Sequence, residues 1–220
     1  MNTRVLVTVL FMVIVAVNKA TATTGFIMNQ TPTPLNVAVS NQKCNMTKYC
    51  GSLPSSCNPS SQSCYFASAQ PDAAGFLFEL SGNATGYIAA TVTSNSAFGK
   101  NETTYICASG SSTVDFYTAL LNNITLIPAN MSVPSVNGTN NGIITQCLIN
   151  TTIISATLVN IYNGSYNSTT RDLGNLNFLF QINVTPPLGN STGSNDGITI
   201  QHSMTQALLI TAGVLVLALM

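Results

Sequence analysis

Short runs of apolar and β-branched residues alternate with turn residues along the middle of the chain. Clusters of Asn, Gly, Ser and Pro separate the runs, for example at 136–142. This spacing is typical of an all-β sandwich, because the strands of such folds are short and joined by turns. Helical periodicity is absent apart from an ambiguous stretch at Phe116–Leu121. The predicted strands are Gly75–Leu80, Tyr87–Thr93, Thr103–Cys107, Ile124–Ile127, Ile143–Ile149, Ile153–Tyr162 and Asn177–Val184.

A hydrophobic segment near the start of the sequence has the pattern of a secretory signal peptide. Val5–Val17 is predominantly apolar, and Arg4 precedes it. Ala20-Thr21-Ala22 follows with the small-x-small spacing that signal peptidase accepts. The alternative is a transmembrane anchor, but the segment is shorter than the roughly 20 residues that a membrane span needs. We therefore expect residues 1–22 to be removed.

A second hydrophobic segment, Ala207–Met220, is typical of the tail of a GPI-attachment signal. A short membrane span or a buried strand is the alternative. Three small residues, Asn195-Asp196-Gly197, stand upstream, and we expect lipid attachment at Asn195, with Ser191, Gly193 and Ser194 as alternative sites. The predicted organisation is a signal peptide (1–22), an N-terminal lead (23–39), a β-sandwich (40–190), a polar spacer (191–206) and a GPI-signal tail (207–220).

Charged residues make up only 5% of the chain, against about 25% in a typical soluble protein. The sequence therefore offers no basic patch for nucleic acid, and nucleic-acid binding is excluded as a function class. A surface with so few charges also needs another solubilising layer.

N-glycans are the predicted solubilising layer. Asn-x-Ser/Thr sequons occur throughout the chain, and each one that is used must lie on an exposed stretch because a glycan cannot be packed inside. The alternative is that the sequons are accidental in a chain rich in Asn and Thr. The acceptor residues are Asn29, Asn45, Asn83, Asn101, Asn123, Asn130, Asn137, Asn150, Asn163, Asn167, Asn183 and Asn190.

The six cysteines predict disulfides, because an even number in a secreted chain is typical of a disulfide framework. They are Cys44, Cys50, Cys57, Cys64, Cys107 and Cys147. Six cysteines allow 15 pairings. We expect the first four to pair among themselves and Cys107 to pair with Cys147. A zinc site is the alternative, but no His lies nearby and the spacings do not match the usual ones.

A longer pattern extends from the cysteine cluster into the predicted strands. It comprises Cys44…Lys48-Tyr49-Cys50-Gly51…Pro54…Cys57-Asn58-Pro59…Cys64-Tyr65, Phe78-Glu79-Leu80-Ser81-Gly82, Gly86-Tyr87-Ile88-Ala89, Phe98-Gly99, Tyr105-Ile106-Cys107 and Gln146-Cys147. Over about residues 40–200 it resembles the DOMON domain of the ferric-chelate reductase 1 group. The resemblance implies an immunoglobulin-like β-sandwich that binds haem or sugars. In those reductases the domain precedes a cytochrome b561 membrane unit, which these 220 residues do not contain.

The resemblance also implies two haem ligands, a Met and a His, and this chain departs from the pattern at both. Phe98 stands where the axial Met is expected, and a phenyl ring cannot ligate iron. His202, the only His of the chain, matches the axial His but lies in the segment that GPI attachment would remove. Met131 and Met46 are the other thioether candidates. We therefore predict no cofactor and no metal, with haem b held by His202 as the alternative.

Groups for catalysis are scarce once His202 and the oxidised cysteines are set aside. The carboxylates are Asp72, Glu79, Glu102, Asp115 and Asp172. A glycosidase would need two of them in a pair, and their spacing favours none. We expect Glu79 to face outward from its strand.

The sequence thus predicts a GPI-anchored, N-glycosylated cell-surface protein that is a non-catalytic binding or interaction module. Its expected partners are the outer leaflet, through the lipid, and a surface protein, a glycan or a small molecule. The alternative function is a haem-binding electron-transfer module similar to ferric-chelate reductase, which would make the protein an oxidoreductase. A structural coat protein and a freely secreted form are further alternatives.

Overall fold

The computed structural model describes residues 26–93, 99–110, 113–153 and 155–184. The predicted signal peptide, the spacer and the hydrophobic tail lie outside these ranges, and so do Phe98, Asn190, Asn195 and His202. What was predicted for them stays a prediction. Within the described ranges, no helix is long and apolar enough to cross a bilayer.

In the described part of the chain, thirteen strands form two sheets, and this arrangement confirms the predicted all-β sandwich. The first sheet has the order β1-β9-β10-β4-β3-β2, and the second has the order β12-β11-β5-β6-β7-β8, with β13 also paired to β11. The strands are β1 (Thr33–Pro34), β2 (Tyr49–Leu53), β3 (Tyr65–Asp72), β4 (Gly75–Asn83), β5 (Gly86–Thr93), β6 (Glu102–Ser109), β7 (Val114–Asn122), β8 (Thr125–Pro128), β9 (Ser135–Asn140), β10 (Ile144–Asn150), β11 (Leu158–Asn167), β12 (Asp172–Leu173) and β13 (Asn177–Asn183).

The main core lies between the two sheets. Phe78 and Leu80 of β4 face Ile88 of β5 and Phe116 of β7, and each is at most 1% exposed. Alternate residues of a strand point to opposite faces, so each strand contributes every second side chain to this layer. The ring of Phe78 packs on that of Tyr105, with the centroids 6.0 Å apart.

The second sheet is buried on its other face as well. Tyr87, Ile106 and Tyr117 belong to a second apolar cluster there, against which Phe26 and Leu173 pack. All eight residues of β5 are consequently buried. A strand covered on both faces reads as a continuous apolar run instead of an alternating one, which is the pattern seen in Tyr87–Thr93.

Three stretches of the sequence differ from their interpretation. The cluster at 136–142, predicted to separate strands, contains most of β9, which pairs with β10 along its length. The ambiguous stretch Phe116–Leu121 lies in β7, because it pairs with β6 along its whole length.

The predicted strand Ile153–Tyr162 begins only at Leu158. β10 ends at Asn150 in the first sheet and β11 lies in the second, so the chain crosses between the sheets before Leu158. Among the described residues, only single backbone hydrogen bonds, such as that from Thr157 N to the Thr93 carbonyl at 2.9 Å, join this connection to a strand.

Three disulfides join the six cysteines in the predicted arrangement: Cys44–Cys50, Cys57–Cys64 and Cys107–Cys147. The first two order residues 40–64, which we call the cysteine cap. Ser81 donates a hydrogen bond to the carbonyl of Pro59 at 2.6 Å and so fixes the cap to the outer face of the first sheet. The third disulfide joins β6 to β10 and crosses the core.

Replacing both Cys107 and Cys147 by Ala should cost more stability than replacing both Cys44 and Cys50. The loops they close span 40 and 6 residues, and loop-closure entropy predicts losses of about 4 and about 2 kcal/mol in the free energy of unfolding. Denaturant unfolding of the two double variants measures the difference. Equal losses would contradict the claim that the cross-core bond is the stronger constraint.

Candidate functional site

A cleft of about 240 Å³ opens at one end of the sandwich, and we call it the end cleft. It lies where the chain passes from β4 in the first sheet to β5 in the second through only Ala84 and Thr85. At the open end of a sandwich the two sheets do not cover each other, so backbone groups and polar side chains beside the core are exposed to solvent. The cleft is lined by Tyr65, Asn83, Thr85, Gly86, Tyr87, Asn163, Gly164, Ser165 and Asn177.

Tyr65 forms one wall of the cleft and is held on two sides. Its hydroxyl accepts a hydrogen bond from Asn163 Nδ2 at 2.9 Å. Its ring covers Gly82 so closely that a Cβ at that position would lie 3.1 Å from the ring. Any larger residue at 82 would therefore have to displace the ring and change the shape of the cleft.

Tyr87 forms part of the opposite wall. Its hydroxyl donates a hydrogen bond to the carbonyl of Gly174 at 3.0 Å, and burial raises its pKa above the ordinary value. A Cβ at Gly164 would lie 2.5 Å from the Tyr87 ring, so only glycine at this position allows β11 to pass the ring. Both tyrosines are fixed, and the cleft is preformed.

The residues that line the cleft are all uncharged. They offer amides, hydroxyls and aromatic rings, which suit a neutral ligand with hydrogen-bonding groups.

The ionised side chains with described partners lie elsewhere and stabilise the fold. Lys48 donates to Glu79 Oε2 at 2.5 Å and to the Ser40 carbonyl at 2.6 Å, which ties the cysteine cap to β4. Glu79 thus lies on the outer face of the first sheet, as expected, but is paired.

Two tyrosines and a carboxylate form a chain of hydrogen bonds on the outer face of the second sheet. Tyr166 donates to Asp115 Oδ2 at 2.5 Å, and the hydroxyls of Tyr117 and Tyr166 are 2.7 Å apart. Burial, before any other cause, raises the pKa of both phenols. The phenols therefore stay protonated at neutral pH and serve as hydrogen-bond donors, not as nucleophiles.

The predicted haem site is not tested, because Phe98 and His202 lie outside the described residues. Met46 is 72% exposed in the cysteine cap. Met131 follows β8, where its sulfur accepts a hydrogen bond from Thr103 at 3.9 Å. The two thioethers thus lie in different loops, one before β2 and the other between β8 and β9. Among the described residues, no group of three His, Cys, Asp or Glu side chains is close enough together to hold a metal ion.

None of the described sequon asparagines is buried, so each is compatible with the predicted glycans without testing them. They fall into two groups by exposure. The exposed ones are Asn45, Asn101, Asn123, Asn130, Asn167 and Asn183, and the half-buried ones are Asn29, Asn83, Asn137, Asn150 and Asn163.

Asn29 differs from the other sequon asparagines because its whole amide is engaged. Nδ2 donates to the Ala129 carbonyl at 3.1 Å and to Asn130 Oδ1 at 3.0 Å, while Oδ1 accepts from Thr118 N at 2.7 Å. Just beyond the end of β8, the Asn29 side chain makes the hydrogen bond to the β7 backbone that a neighbouring strand would otherwise make. A glycan would take the place of one hydrogen on Nδ2, so the native contacts are incompatible with full glycosylation here.

Sequence analysis identified Asn83 and Asn163 only as sequons and did not find the end cleft. The missing fact was that β4 and β5 lie in different sheets, since the run Ser81-Gly82-Asn83 indicated only a turn. The short passage between two strongly apolar runs could equally have been a hairpin within one sheet. Tyr65 and Asn177 carry no signal in the sequence that places them beside it.

Site-resolved mass spectrometry of the secreted protein should find Asn29 unmodified and Asn130 glycosylated. Asn130 is the matched control, because it is adjacent in space and exposed, and its Nδ2 donates no hydrogen bond to any described residue. A glycan on Asn29 in most molecules of the folded protein would contradict the proposed role of its amide.

The protein should lose stability as the pH rises from about 10 to about 12. Burial raises the pKa of Tyr105 and of Tyr162 to about 12, whereas in the unfolded chain a tyrosine ionises near 10. The unfolded state therefore releases protons first, and unfolding becomes more favourable across that window. Denaturant midpoints measured at several pH values test this, and Tyr162→Phe should flatten the dependence. A midpoint that stays constant to pH 12 would refute it.

Comparison of the chain with protein-family models, with curated proteins and with solved structures gave no match. The resemblance to DOMON domains therefore stays a prediction, and the functional argument rests on the end cleft.

Proposed function

We propose that this chain is a lipid-anchored, N-glycosylated cell-surface module that acts by binding and not by catalysis. The observation that carries the proposal is the end cleft, which is preformed, uncharged and rich in hydrogen-bonding groups. Binding sites of this kind combine a few fixed polar groups with aromatic surface. A neutral glycan or another neutral polar ligand is the class that such a lining recognises.

The chemistry of the other described residues supports a binding role. Glu79 is engaged by Lys48 and Ser68, Glu102 accepts a hydrogen bond from Thr93 at 2.6 Å, and Asp115 accepts one from Tyr166. General acid–base work needs a titratable group placed against the substrate, and these carboxylates lie outside the lining of the cleft.

The proposal also explains how a chain with so few charges remains soluble. Sequon asparagines at both ends of the sandwich and along its edges would carry glycans into the solvent. The lipid would hold the domain at the outer leaflet with this coat around it.

The lipid anchor and the glycans can each be tested with an enzyme. Phosphatidylinositol-specific phospholipase C should release the protein from intact cells, and enzymatic deglycosylation should lower its apparent mass by many kilodaltons.

The binding proposal is tested with an array of neutral and sialylated oligosaccharides. The protein carries Asn83→Gln, so that no glycan at the cleft competes, and it is compared with the same protein bearing Asn177→Ala in addition. Asn177 is exposed and lines the cleft. Its loss removes about 1.4 kcal/mol of hydrogen bonding, and we expect binding to neutral oligosaccharides to weaken about tenfold.

The matched control is Gln62→Ala in the Asn83→Gln background, since Gln62 is exposed in the cysteine cap and not part of the cleft lining. Its binding should be unchanged. Absence of binding to every neutral oligosaccharide would contradict the proposal. A haem absorption band in the purified protein that shifts on reduction would favour the electron-transfer alternative instead.

A further inference from the structure

Two complete sequons line the end cleft. Asn83 and Thr85 belong to one, and Asn163 and Ser165 belong to the other. An N-glycan is attached to the side-chain nitrogen of the asparagine, so a sugar on either residue would begin at the wall of the cleft. The cleft and the glycan coat therefore meet at this end of the sandwich.

The two asparagines differ in how their amides are used. Asn163 Nδ2 donates to the hydroxyl of Tyr65 at 2.9 Å, which orients both side chains. Asn83 is held only through Oδ1, which accepts from Thr85 N at 2.9 Å. Its Nδ2 donates no hydrogen bond to any residue that the structure describes. The side chain of Asn83 is thus fixed through its oxygen, and its nitrogen is free to carry a sugar. The nitrogen of Asn163, in contrast, is used in the hydrogen bond to Tyr65 that forms the wall of the cleft.

We propose that the first sugar of an N-glycan on Asn83 occupies the end cleft. This inference rests on the proposed function, because it assigns the occupant of the same site. The cleft would be filled from within the molecule when Asn83 is glycosylated and open to a separate ligand only when Asn83 is unmodified. Glycosylation at this one sequon would then decide whether the module binds.

The dimensions and the chemistry of the cleft fit such an occupant. Its volume of about 240 Å³ is below the roughly 300–1,000 Å³ of pockets for drug-sized ligands, so it suits a single sugar ring. Asn177 and Ser165 offer hydrogen-bonding groups for hydroxyls and the acetamido group, and the ring of Tyr65 offers an apolar surface. A tethered sugar also has a high effective concentration, so it outcompetes a free ligand of similar affinity.

Native-state digestion with peptide-N-glycosidase tests the inference, with each site followed by mass spectrometry. The Asn83 glycan should be released at least about tenfold more slowly than the glycan on Asn167, a difference of about 1.4 kcal/mol. Asn167 is the internal control because it lies near the same end of the sandwich, at the end of β11, and is exposed. After reduction and denaturation, both glycans should be released at the same rate.

Two variants separate the cleft from other causes of protection. Ser165→Ala removes the second sequon, so that any glycan at the cleft belongs to Asn83. It also removes one hydroxyl of the lining, so the Asn83 glycan should be released faster than in the native protein but still more slowly than the Asn167 glycan. Tyr65→Phe combined with Asn177→Ala keeps the aromatic ring but removes polar contacts, and the release rate should rise toward that of Asn167. Gln62→Ala should leave it unchanged.

Equal release rates at Asn83 and Asn167 in the native protein would overturn the inference, as would full protection in the Tyr65→Phe/Asn177→Ala variant. An unmodified Asn83 in the native protein would overturn it too. Each of these results leaves the proposed binding role intact, since oligosaccharide binding is measured in the Asn83→Gln background. Failure of the proposed function would instead appear as absent oligosaccharide binding in that background.

Discussion

The bond between Cys107 and Cys147 joins interior strands of the two sheets and fixes how they face each other. Both cysteines are fully buried, and the side chains around them come from both sheets. Because core residues are close-packed, a bond across the core restricts sliding of one sheet over the other. The end cleft depends on this restriction, since its two walls come from different sheets: Tyr65 from the first, and Tyr87 and Asn163 from the second.

The scarcity of charge shapes both the surface and the interior of the molecule. The described ion pair, Lys48 with Glu79, is largely buried and joins the cysteine cap to β4. Removing either partner would leave the other charge desolvated without compensation, which is more costly than never having the pair. A chain with so few charges uses this pair to position a cap that contains little apolar material. Many of its exposed residues, in contrast, carry hydroxyls or amides, and the proposed glycans would add to the solvation of this surface.

The local pattern predicted the strongly apolar strands, but it did not predict β2, β3 or β9. It also could not assign the strands to the two sheets. The runs at Gly75–Leu80 and Thr103–Cys107 lie within β4 and β6, because alternation and turn residues act over a few positions. The stretch Phe116–Leu121 was ambiguous because β7 is apolar on both faces, and the second face is covered by distant residues such as Phe26. The cleft depends on the same kind of long-range information: Tyr65 and Asn163 are 98 positions apart.

The contrast between Asn29 and Asn83 shows that a sequon alone does not define the role of its asparagine. Asn29 uses its amide to pair with β7 where β8 has ended, so the residue is part of the sheet edge. Asn83 uses only its carbonyl oxygen, within a turn that carries the chain from one sheet to the other. The same three-residue motif is therefore structural at one position and available for modification at the other. The hydrogen-bonding state of each nitrogen, which only the fold determines, decides which of the two roles applies.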